Sequence, residues 1–308
     1  MSQKIAVLAG GPSCERNISL ISGKAVFDAL KSKGISAVLI DPVGDFIGTL
    51  KRENISFVFL ALHGTFGEDG TVQRLLDKEG IGYTGSGPRA SEWAFDKSKA
   101  QKIFKDAGLR IPEFHLLKKG ESLKSEGHFS WPLVVKPSAS GSSVGISIVS
   151  DKKDYERACL EAFKYSDTVL IEQYIEGREL TVSILNGRAL PIVEIIVRRK
   201  FYDYEAKYKD AGTVYEVPAK LTAAEEMEIK EIALKAYEAL GCDIMARVDI
   251  LLDRQSKPYV LEVNTIPGLT GKSLLPKAAK SDGLEFPDLC VKIIELSMQR
   301  VLSYGQAG

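Results

Sequence analysis

The stretch that decides the fold reads Arg-Val-Asp at 247–249 and Glu-Val-Asn at 262–264, in two consecutive apolar segments. Residues two apart in a strand share a face, so Arg247 and Asp249 point the same way, as do Glu262 and Asn264. If a symmetric hairpin joins the segments, Asp249 faces Glu262 and Arg247 faces Asn264. Two carboxylates and an amide oxygen on one face suit Mg²⁺. The alternative is a salt-bridged sheet surface on which Arg247 balances the acids.

A second signal lies upstream, where residues 136–145 read Lys-Pro-Ser-Ala-Ser-Gly-Ser-Ser-Val-Gly between two strand patterns. Glycines and serines give a flexible loop with many donors, and Lys136 adds a charge at its base. Such a loop can fold over nucleotide phosphates without a Walker sequence. A solvent-exposed hairpin loop is the alternative, because serine and glycine are common there.

A third signal is the linker Glu-Gln-Tyr-Ile-Glu-Gly-Arg-Glu at 172–179. Glu172 ends a strand pattern, and a short reversal leads to Glu179. The linker amides and Glu172 would then bind an adenine edge, and Glu179 would accept hydrogen bonds from ribose hydroxyls. An ordinary β-turn between two strands would have a similar sequence.

The rest of the chain supplies the framework. Strand patterns at 4–8, 36–40 and 57–60 with a helix at 18–33 predict a small parallel sheet, and one helix is expected over 91–107. Frequent strand and turn signals then predict an α+β region with mainly antiparallel strands. The fold class is therefore α/β, with boundaries near 95 and 185 that define domains 1–95, 96–185 and 186–308. Thr222 opens a capping box before a helix, and the last helix is expected near 287–302.

Two nucleotide-binding patterns are rejected. Residues 85–90 match GxGxxA but follow the strands of the first domain instead of its first βα turn, so Pro88 is interpreted as the first residue of a helix. Gly-Lys-Ser at 271–273 lacks the earlier glycine of a P-loop, because position 266 is Ile.

Composition excludes other classes. Among 308 residues, Lys+Arg and Asp+Glu both count 41, so the chain lacks the basic excess of nucleic-acid or membrane-surface proteins. The longest apolar run, 57–62, is too short to cross a bilayer. Four cysteines are scattered without a CxxC pair, which favours reduced thiols. We therefore expect a cytoplasmic enzyme with no nucleic-acid or membrane partner.

Taken in order, the lysine, the glycine-rich loop, the 172–179 linker and the two strand motifs resemble the ATP-grasp superfamily. The first domain sharpens the likeness, since several of its motifs are similar to those of D-alanine–D-alanine ligases. These motifs, together with two later ones, are Gly-Gly-Pro-Ser-Cys-Glu-Arg-Asn-Ile-Ser at 10–19, Ala-Leu-His-Gly at 61–64, Phe-Asp-Lys at 95–97, Phe-Tyr-Asp-Tyr-Glu-Ala-Lys-Tyr at 201–208 and Asn-Thr-Ile-Pro-Gly-Leu-Thr at 264–270. The resemblance spans essentially the whole chain.

The resemblance implies a pre-ATP-grasp domain followed by a two-part ATP-grasp fold, and it assigns roles to four sets of residues. Catalysis falls to Glu15, Ser142, Tyr208, Arg247, Gly268 and Ser273. Substrate binding falls to His63, Lys207 and Leu274. Nucleotide binding falls to Lys97, Lys136, Ser143, Glu172, Tyr174, Ile175 and Glu179. The metal ligands are Asp249, Glu262 and Asn264.

It also implies the reaction. ATP phosphorylates the carboxylate of one D-alanine, and the amine of a second D-alanine attacks the acyl phosphate, giving D-alanyl-D-alanine for bacterial peptidoglycan. Two Mg²⁺ ions are expected, replaceable by Mn²⁺, with activation by a monovalent cation and a homodimeric assembly. Another ATP-grasp carboxylate–amine ligase and a D-alanine–D-lactate ligase are the alternatives.

Three details of the resemblance concern individual segments. Glu15 would hold the ammonium of the first D-alanine, although a helix-cap acid would look the same in sequence. Residues 200–212 would form a lid that excludes water, although the segment 201–208 also fits a strand or an aromatic surface. Many relatives carry His before Ser273, whereas this chain carries Lys272, which affects the rim of the second-substrate pocket.

Overall fold

The computed structural model describes residues 4–123, 129–141, 144–196 and 213–305. Its first sheet is parallel, with strand order β2-β1-β3-β4. The strands are β1 Ile5–Leu8, β2 Ala37–Ile40, β3 Phe57–Leu60 and β4 Gly82–Tyr83. Strands β1 and β3 are apolar throughout and fully buried, as expected when helices cover both faces of a parallel sheet. The predicted α/β class and N-terminal parallel sheet are confirmed.

Five helices accompany this sheet in the described part of the chain. They are α1 Arg16–Ser32, α2 Phe46–Arg52, α3 Thr71–Lys78, α4 Pro88–Phe95 and α5 Lys97–Asp106. Pro88 opens α4, as its fixed φ favours. The prediction of one helix over 91–107 is wrong. Asp96 is extended and its carboxylate accepts the N–H groups of Ser98 and Lys99, so it ends α4 and caps α5.

The second sheet is antiparallel, with strand order β5-β8-β6-β7 and helix α6 packed against it. The bounds are β5 Phe114–Lys118, β6 Leu133–Pro137, β7 Ser147–Val149, α6 Lys152–Ala162 and β8 Thr168–Gln173. A separate apolar cluster, which includes Leu133, Tyr155 and Ile171, lies between this sheet and α6. The sheet thus has a core of its own, and its antiparallel character was predicted.

The third sheet, also antiparallel, has strand order β12-β11-β9-β13-β14, with β10 pairing with β9. Its strands are β9 Gly177–Leu185, β10 Arg188–Ala189, β11 Val193–Ile196, β12 Val214–Glu216, β13 Met245–Asp253 and β14 Pro258–Asn264. The helices in this part of the chain are α7 Ala223–Ala239, α8 Leu274–Ser281 and α9 Phe286–Gly305. The capping box predicted at Thr222 is present, since its hydroxyl accepts the Glu225 N–H and the Glu225 carboxylate accepts the Thr222 N–H. No helix of the described residues is long and apolar enough to cross a membrane.

The β13–β14 hairpin has the register predicted from sequence. Asp249 pairs with Glu262 and Arg247 pairs with Asn264. The register then shifts by one residue, because Ile250 pairs with Val260. The side-chain alternation is therefore regular on the side of the motifs and is interrupted just beyond them.

The largest apolar cluster joins the two ends of the chain. It combines the inner faces of the first sheet and α1 with α8 and α9, through residues such as Val7, Val26, Leu275 and Ile293. The chain passes from the second to the third sheet between residues 173 and 177. The boundaries near 95 and 185 stay predictions.

Candidate active site

A cavity of about 400 Å³ lies where the first sheet's loops, α1, the β13–β14 hairpin and the turn into α8 meet. Ten of the residues predicted from sequence line it: Glu15, His63, Lys97, Arg247, Asp249, Glu262, Asn264, Gly268, Ser273 and Leu274. They are far apart in sequence, so the fold brings them together. Four further predicted residues, Ser142, Ser143, Lys207 and Tyr208, and the predicted lid at 200–212 lie outside the described residues.

The hairpin wall of the cavity carries paired charges. Arg247 donates two hydrogen bonds to Asp249, from Nε to Oδ1 at 2.8 Å and from Nη2 to Oδ2 at 2.9 Å. The hydroxyl of Thr181, on β9, donates to the same carboxylate at 2.6 Å. Lys97 lies 3.2 Å from Glu262 and donates to the carbonyl of Ser140 at 2.6 Å. Each hairpin carboxylate therefore has a cationic neighbour, which offsets the repulsion of two facing acids.

The hairpin oxygens fit a hard divalent cation by their chemistry. Asp249 and Glu262 are cross-strand neighbours, and Asn264 Oδ1 accepts the N–H of Ile266 at 2.9 Å, which fixes the amide oxygen on the sheet face. Among the described residues, no group of three His, Cys, Asp or Glu side chains could hold a metal ion. Mg²⁺ is commonly held by one or two carboxylates, with substrate phosphates and water completing its shell. The donor set fits Mg²⁺ in company with a nucleotide.

The second sheet contributes a buried ion pair. Lys136 on β6 lies 2.8 Å from Glu172 on β8, and both side chains are almost fully buried. Glu172 Oε1 is buried and has no hydrogen-bond partner in the described structure. A buried acceptor without a donor is costly unless a ligand satisfies it, so this atom fits a ligand that brings an N–H group, as adenine does. Tyr174 and Ile175 follow at the half-buried connection to β9, and Glu179 lies on β9 itself.

Glu15 lies at the opposite wall, beside two glycines. A Cβ at Gly64 would lie 2.7 Å from Glu15 Oε2, and a Cβ at Gly141 would lie 2.3 Å from the same atom. Only glycine leaves room for the carboxylate at these two positions. Although Glu15 occupies the N-cap position of α1, its side chain makes no capping hydrogen bond. Its N-cap position agrees with the helix-cap alternative, and the absence of a capping hydrogen bond leaves only the helix dipole for it to interact with in that role.

His63 and Glu68 complete this wall. His63 Nε2 lies 2.9 Å from the hydroxyl of Ser22, and burial, with a contribution from the Arg247 charge, lowers its pKa to about 4. The imidazole is therefore neutral at physiological pH. Glu68 accepts the Gly64 N–H at 2.5 Å, and burial followed by repulsion from Glu15 raises its pKa to about 8. Glu68 was missed in the sequence, although it lies in the glycine-rich loop that follows His63.

The turn that leads into α8 forms the rim of the cavity. Ser273 Oγ accepts the Thr270 N–H at 3.2 Å and lies 2.9 Å from its hydroxyl. A Cβ at Gly268 would lie 2.9 Å from Ser273 Oγ, so glycine keeps this approach open. Lys272 also lines the cavity, as does Tyr215 of β12, which sequence reasoning missed.

A parallel sheet is followed by two antiparallel sheets, an acidic hairpin faces the cavity, and the second sheet carries a buried lysine–glutamate pair; this arrangement fits an ATP-grasp ligase. Family models described as "D-ala D-ala ligase C-terminus" and "D-ala D-ala ligase N-terminus" match residues 103–295 and 45–86. The chain belongs to the D-alanine–D-alanine ligase family.

Individual relatives agree. A D-alanine–D-alanine ligase from Citrifermentans bemidjiense is 47% identical over 97% of each chain, and one from Methylacidiphilum infernorum is 44% identical over 99% of each. The crystal structure of D-alanine–D-alanine ligase from Bacillus anthracis complexed with ATP has a TM-score of 0.86 at 35% identity, covering 98% of this chain and 100% of that one. The sequence predictions of family and fold are confirmed.

Proposed function

We propose that this chain joins two molecules of D-alanine to D-alanyl-D-alanine, with ATP converted to ADP and phosphate, for bacterial peptidoglycan synthesis. The observation that carries the proposal is one cavity with two chemically different walls. The hairpin wall presents Asp249, Glu262 and Asn264, and the facing wall presents buried Glu15 beside neutral His63. The first wall suits phosphoryl transfer, and the second suits a small molecule that carries an ammonium group.

The nucleotide would extend from the second sheet to the hairpin. Glu172 Oε1 would accept a hydrogen bond from the adenine, and Glu179 would accept the ribose hydroxyls. Lys97 and Lys136, with Ser143 in the loop, would hold the phosphates. Asp249, Glu262 and Asn264 would hold Mg²⁺, two ions by analogy with the family, and Mn²⁺ could replace it. The metal supplies charge neutralisation during phosphoryl transfer.

The first D-alanine would bind with its ammonium at Glu15 and its carboxylate toward His63 and Arg247. Because His63 is neutral, it can orient a carboxylate oxygen by hydrogen bonding without placing a second positive charge beside the ammonium. Arg247 and the Gly268 N–H would stabilise the oxyanion that develops when the acyl phosphate is attacked. Lys207 would reach the acyl phosphate, and Ser142 and Tyr208 would join Glu15 in a hydrogen-bond network.

The second D-alanine would bind at the rim. The Ser273 hydroxyl and the Leu274 N–H, at the start of α8, would receive its carboxylate. The amine attacks only in its unprotonated form. A tyrosine phenol is neutral at physiological pH, so Tyr208 would keep the network without charge, and we propose the dipeptide as product, with D-lactate a poor second substrate near pH 7.

Phosphate release from ATP tests the proposal. We expect release with D-alanine, and background release with L-alanine or no amino acid. Glu53→Gln, which alters a surface ion pair with Lys4, serves as a control that should retain activity. D-alanine-independent release, or release with another amine instead, would favour a different ATP-grasp carboxylate–amine ligase.

The choice of second substrate needs its own experiment. D-alanine competes with D-lactate between pH 6 and 9, and the products are separated by chromatography. The dipeptide should predominate at pH 7. VanG D-Ala:D-Ser ligase from Enterococcus faecalis matches the fold with a TM-score of 0.82 at 29% identity, covering 96% of this chain and 100% of that one, so D-serine belongs in the same competition. A cytoplasmic location, a homodimer and monovalent-cation activation stay predictions.

A further inference from the structure

Ser22, on α1, is a buried hydroxyl in the wall of the cavity. It is 1% exposed, and its Oγ lies 2.9 Å from Nε2 of His63, which is itself buried. Both residues line the cavity. The proposed binding of the first D-alanine uses His63 and assigns nothing to Ser22. The contact therefore joins a residue assigned to the substrate and a buried polar residue without an assigned role.

Ser19, one helical turn earlier on α1, shows how a buried hydroxyl is fully used. Its Oγ donates to the Ala61 carbonyl at 2.8 Å and accepts the Gly10 N–H at 2.8 Å. Within the described part of the chain, the hydroxyl of Ser22 has a single hydrogen-bond partner, His63. A buried donor without an acceptor is costly. The Ser22 proton is therefore satisfied when it is donated to Nε2 of His63.

The direction of this hydrogen bond decides where the imidazole carries its own proton. A neutral imidazole has one N–H donor and one bare acceptor nitrogen. His63 is neutral at physiological pH, because burial lowers its pKa to about 4. A proton on Nε2 would leave the hydroxyl proton of Ser22 buried without an acceptor. When Nε2 accepts from Ser22, the ring proton lies on Nδ1 and the buried contact is satisfied.

We propose that Ser22 is a positioning residue that donates to His63 Nε2 and thereby holds the imidazole proton on Nδ1, as the donor for the carboxylate of the first D-alanine. This inference rests on the proposed function, which assigns that carboxylate to His63. An ionised carboxylate only accepts hydrogen bonds, so the opposite tautomer would turn a lone pair toward it. Ser22 thus selects the donor atom without touching the substrate.

Nuclear magnetic resonance of the full-length protein tests the tautomer. Two-bond ¹⁵N–¹H correlations of ¹⁵N-labelled histidine show which ring nitrogen carries the proton. The chain has three histidines, and the signals of His63 are those lost in His63→Gln. At pH 7 we expect the wild-type proton on Nδ1. Ser22→Ala removes the donor to Nε2, so both tautomers should be populated in that variant.

Two further variants separate the hydroxyl from the fold. Ser22→Thr keeps a hydroxyl at this position and should restore the Nδ1 tautomer. Ser32→Ala is the matched control, because it removes from the same helix a hydroxyl that donates to the Ala29 carbonyl. Its spectrum and its kinetics should equal those of the wild type.

Kinetics test the consequence for binding. Initial rates of phosphate release over a wide range of D-alanine concentration separate the KM values of the two substrate sites. In Ser22→Ala, the KM for the first D-alanine should rise about tenfold, as the loss of one hydrogen bond to a charged group predicts. The KM for the second D-alanine should stay unchanged, and Ser22→Thr should recover most of the loss.

The outcomes separate the two proposals. A wild-type proton on Nε2, together with D-alanine-dependent phosphate release, overturns the inference about Ser22 and leaves the ligase proposal standing. A pure Nδ1 tautomer and an unchanged KM in Ser22→Ala also overturn it. If phosphate release does not depend on D-alanine, the proposed function fails, and the assignment of a carboxylate to Nδ1 fails with it. The wild-type spectrum tests the tautomer even if Ser22→Ala does not fold.

Discussion

The two walls of the cavity handle negative charge in opposite ways. On the hairpin wall, Asp249 is clamped by Arg247 and Glu262 lies beside Lys97. On the facing wall, Glu68 accepts the Gly64 N–H, and a Cβ at Gly64 would lie 2.7 Å from Glu15 Oε2. Charge is compensated by fixed cations where phosphate and metal would bind. On the facing wall, burial followed by repulsion from Glu15 raises the pKa of Glu68 to about 8, which makes that wall the pH-sensitive half of the site.

The strongest test of the hairpin wall is Glu262→Gln. On the proposed assignment, losing one of two facing carboxylates would remove a metal ligand, and the role of metal in phosphoryl transfer predicts a fall in turnover of about a thousandfold. Phosphate release at ordinary Mg²⁺ concentration measures it. Glu176→Gln, which alters an exposed pair with Arg254, should be fully active. Wild-type turnover in Glu262→Gln would rule out the metal assignment.

His63 makes the facing wall sensitive to acid. Its folded pKa of about 4 lies below the unfolded value of 6.5, so it is neutral in the native state and gains a proton on unfolding between those values. The contribution of neutral His63 to the free energy of unfolding is present above pH 6.5 and is lost as the pH falls toward 4. It amounts to about 3 kcal/mol in all.

Urea unfolding of wild type and His63→Gln at pH 7 and pH 5 checks this. On acidification from pH 7 to pH 5, the free energy of unfolding should fall by about 2 kcal/mol more in the wild type than in the variant. Glu68 has the opposite effect on stability, because its raised pKa favours the folded state as the pH falls. This effect is present in both proteins and therefore cancels when they are compared. Equal losses in the two proteins would contradict a neutral, buried His63.

Gly141→Ala tests whether the loop at 136–145 fixes the position of Glu15. A Cβ at this position would lie 2.3 Å from Glu15 Oε2 and must displace the carboxylate. We expect the KM for the first D-alanine to rise about tenfold, equivalent to about 1.4 kcal/mol, with a smaller change in kcat. Gly271→Ala is the control, since its Cβ would meet nothing within 4 Å. An unchanged KM in Gly141→Ala would mean that the loop does not fix Glu15.

The smallest effect is expected at the rim. Lys272 lines the cavity, and no carboxylate of the described residues lies within ion-pair distance of it. Lys272→His should raise the KM for the second D-alanine two- to threefold, an effect of the size that exposed charges have. Lys280→Gln, which alters a surface pair with Glu285, should change nothing. A larger change in the first D-alanine's KM would place Lys272 elsewhere in the site.

The local sequence pattern was sufficient to predict the hairpin, but it was not sufficient to predict the pocket that faces it. The strand period and the chemistry of residues 247–249 and 262–264 predicted the pairing of Asp249 with Glu262 before any tertiary contact was known. By contrast, the break of the helix at Asp96 depends on whether a side chain caps or continues a helix, and both choices suit the sequence.

Glu68 shows a different limit. A glutamate in a glycine-rich loop is ordinarily exposed, and only the packing of the chain's distant parts buries it beside Glu15. The same holds for Thr181, whose bond to Asp249 comes from sheet pairing between β9 and β13. Such residues are determined by long-range assembly, for which a single sequence carries no periodic signal.

The close approach of Gly141 to Glu15 would couple two binding events. The glycine belongs to the loop assigned to nucleotide phosphates, and the glutamate belongs to the pocket assigned to the first D-alanine. On these assignments, a change at Gly141 when nucleotide binds would alter the free energy of amino-acid binding. Thermodynamic reciprocity then requires D-alanine to alter nucleotide affinity by the same factor. A pair of titrations, each ligand with and without the other, must return one coupling free energy.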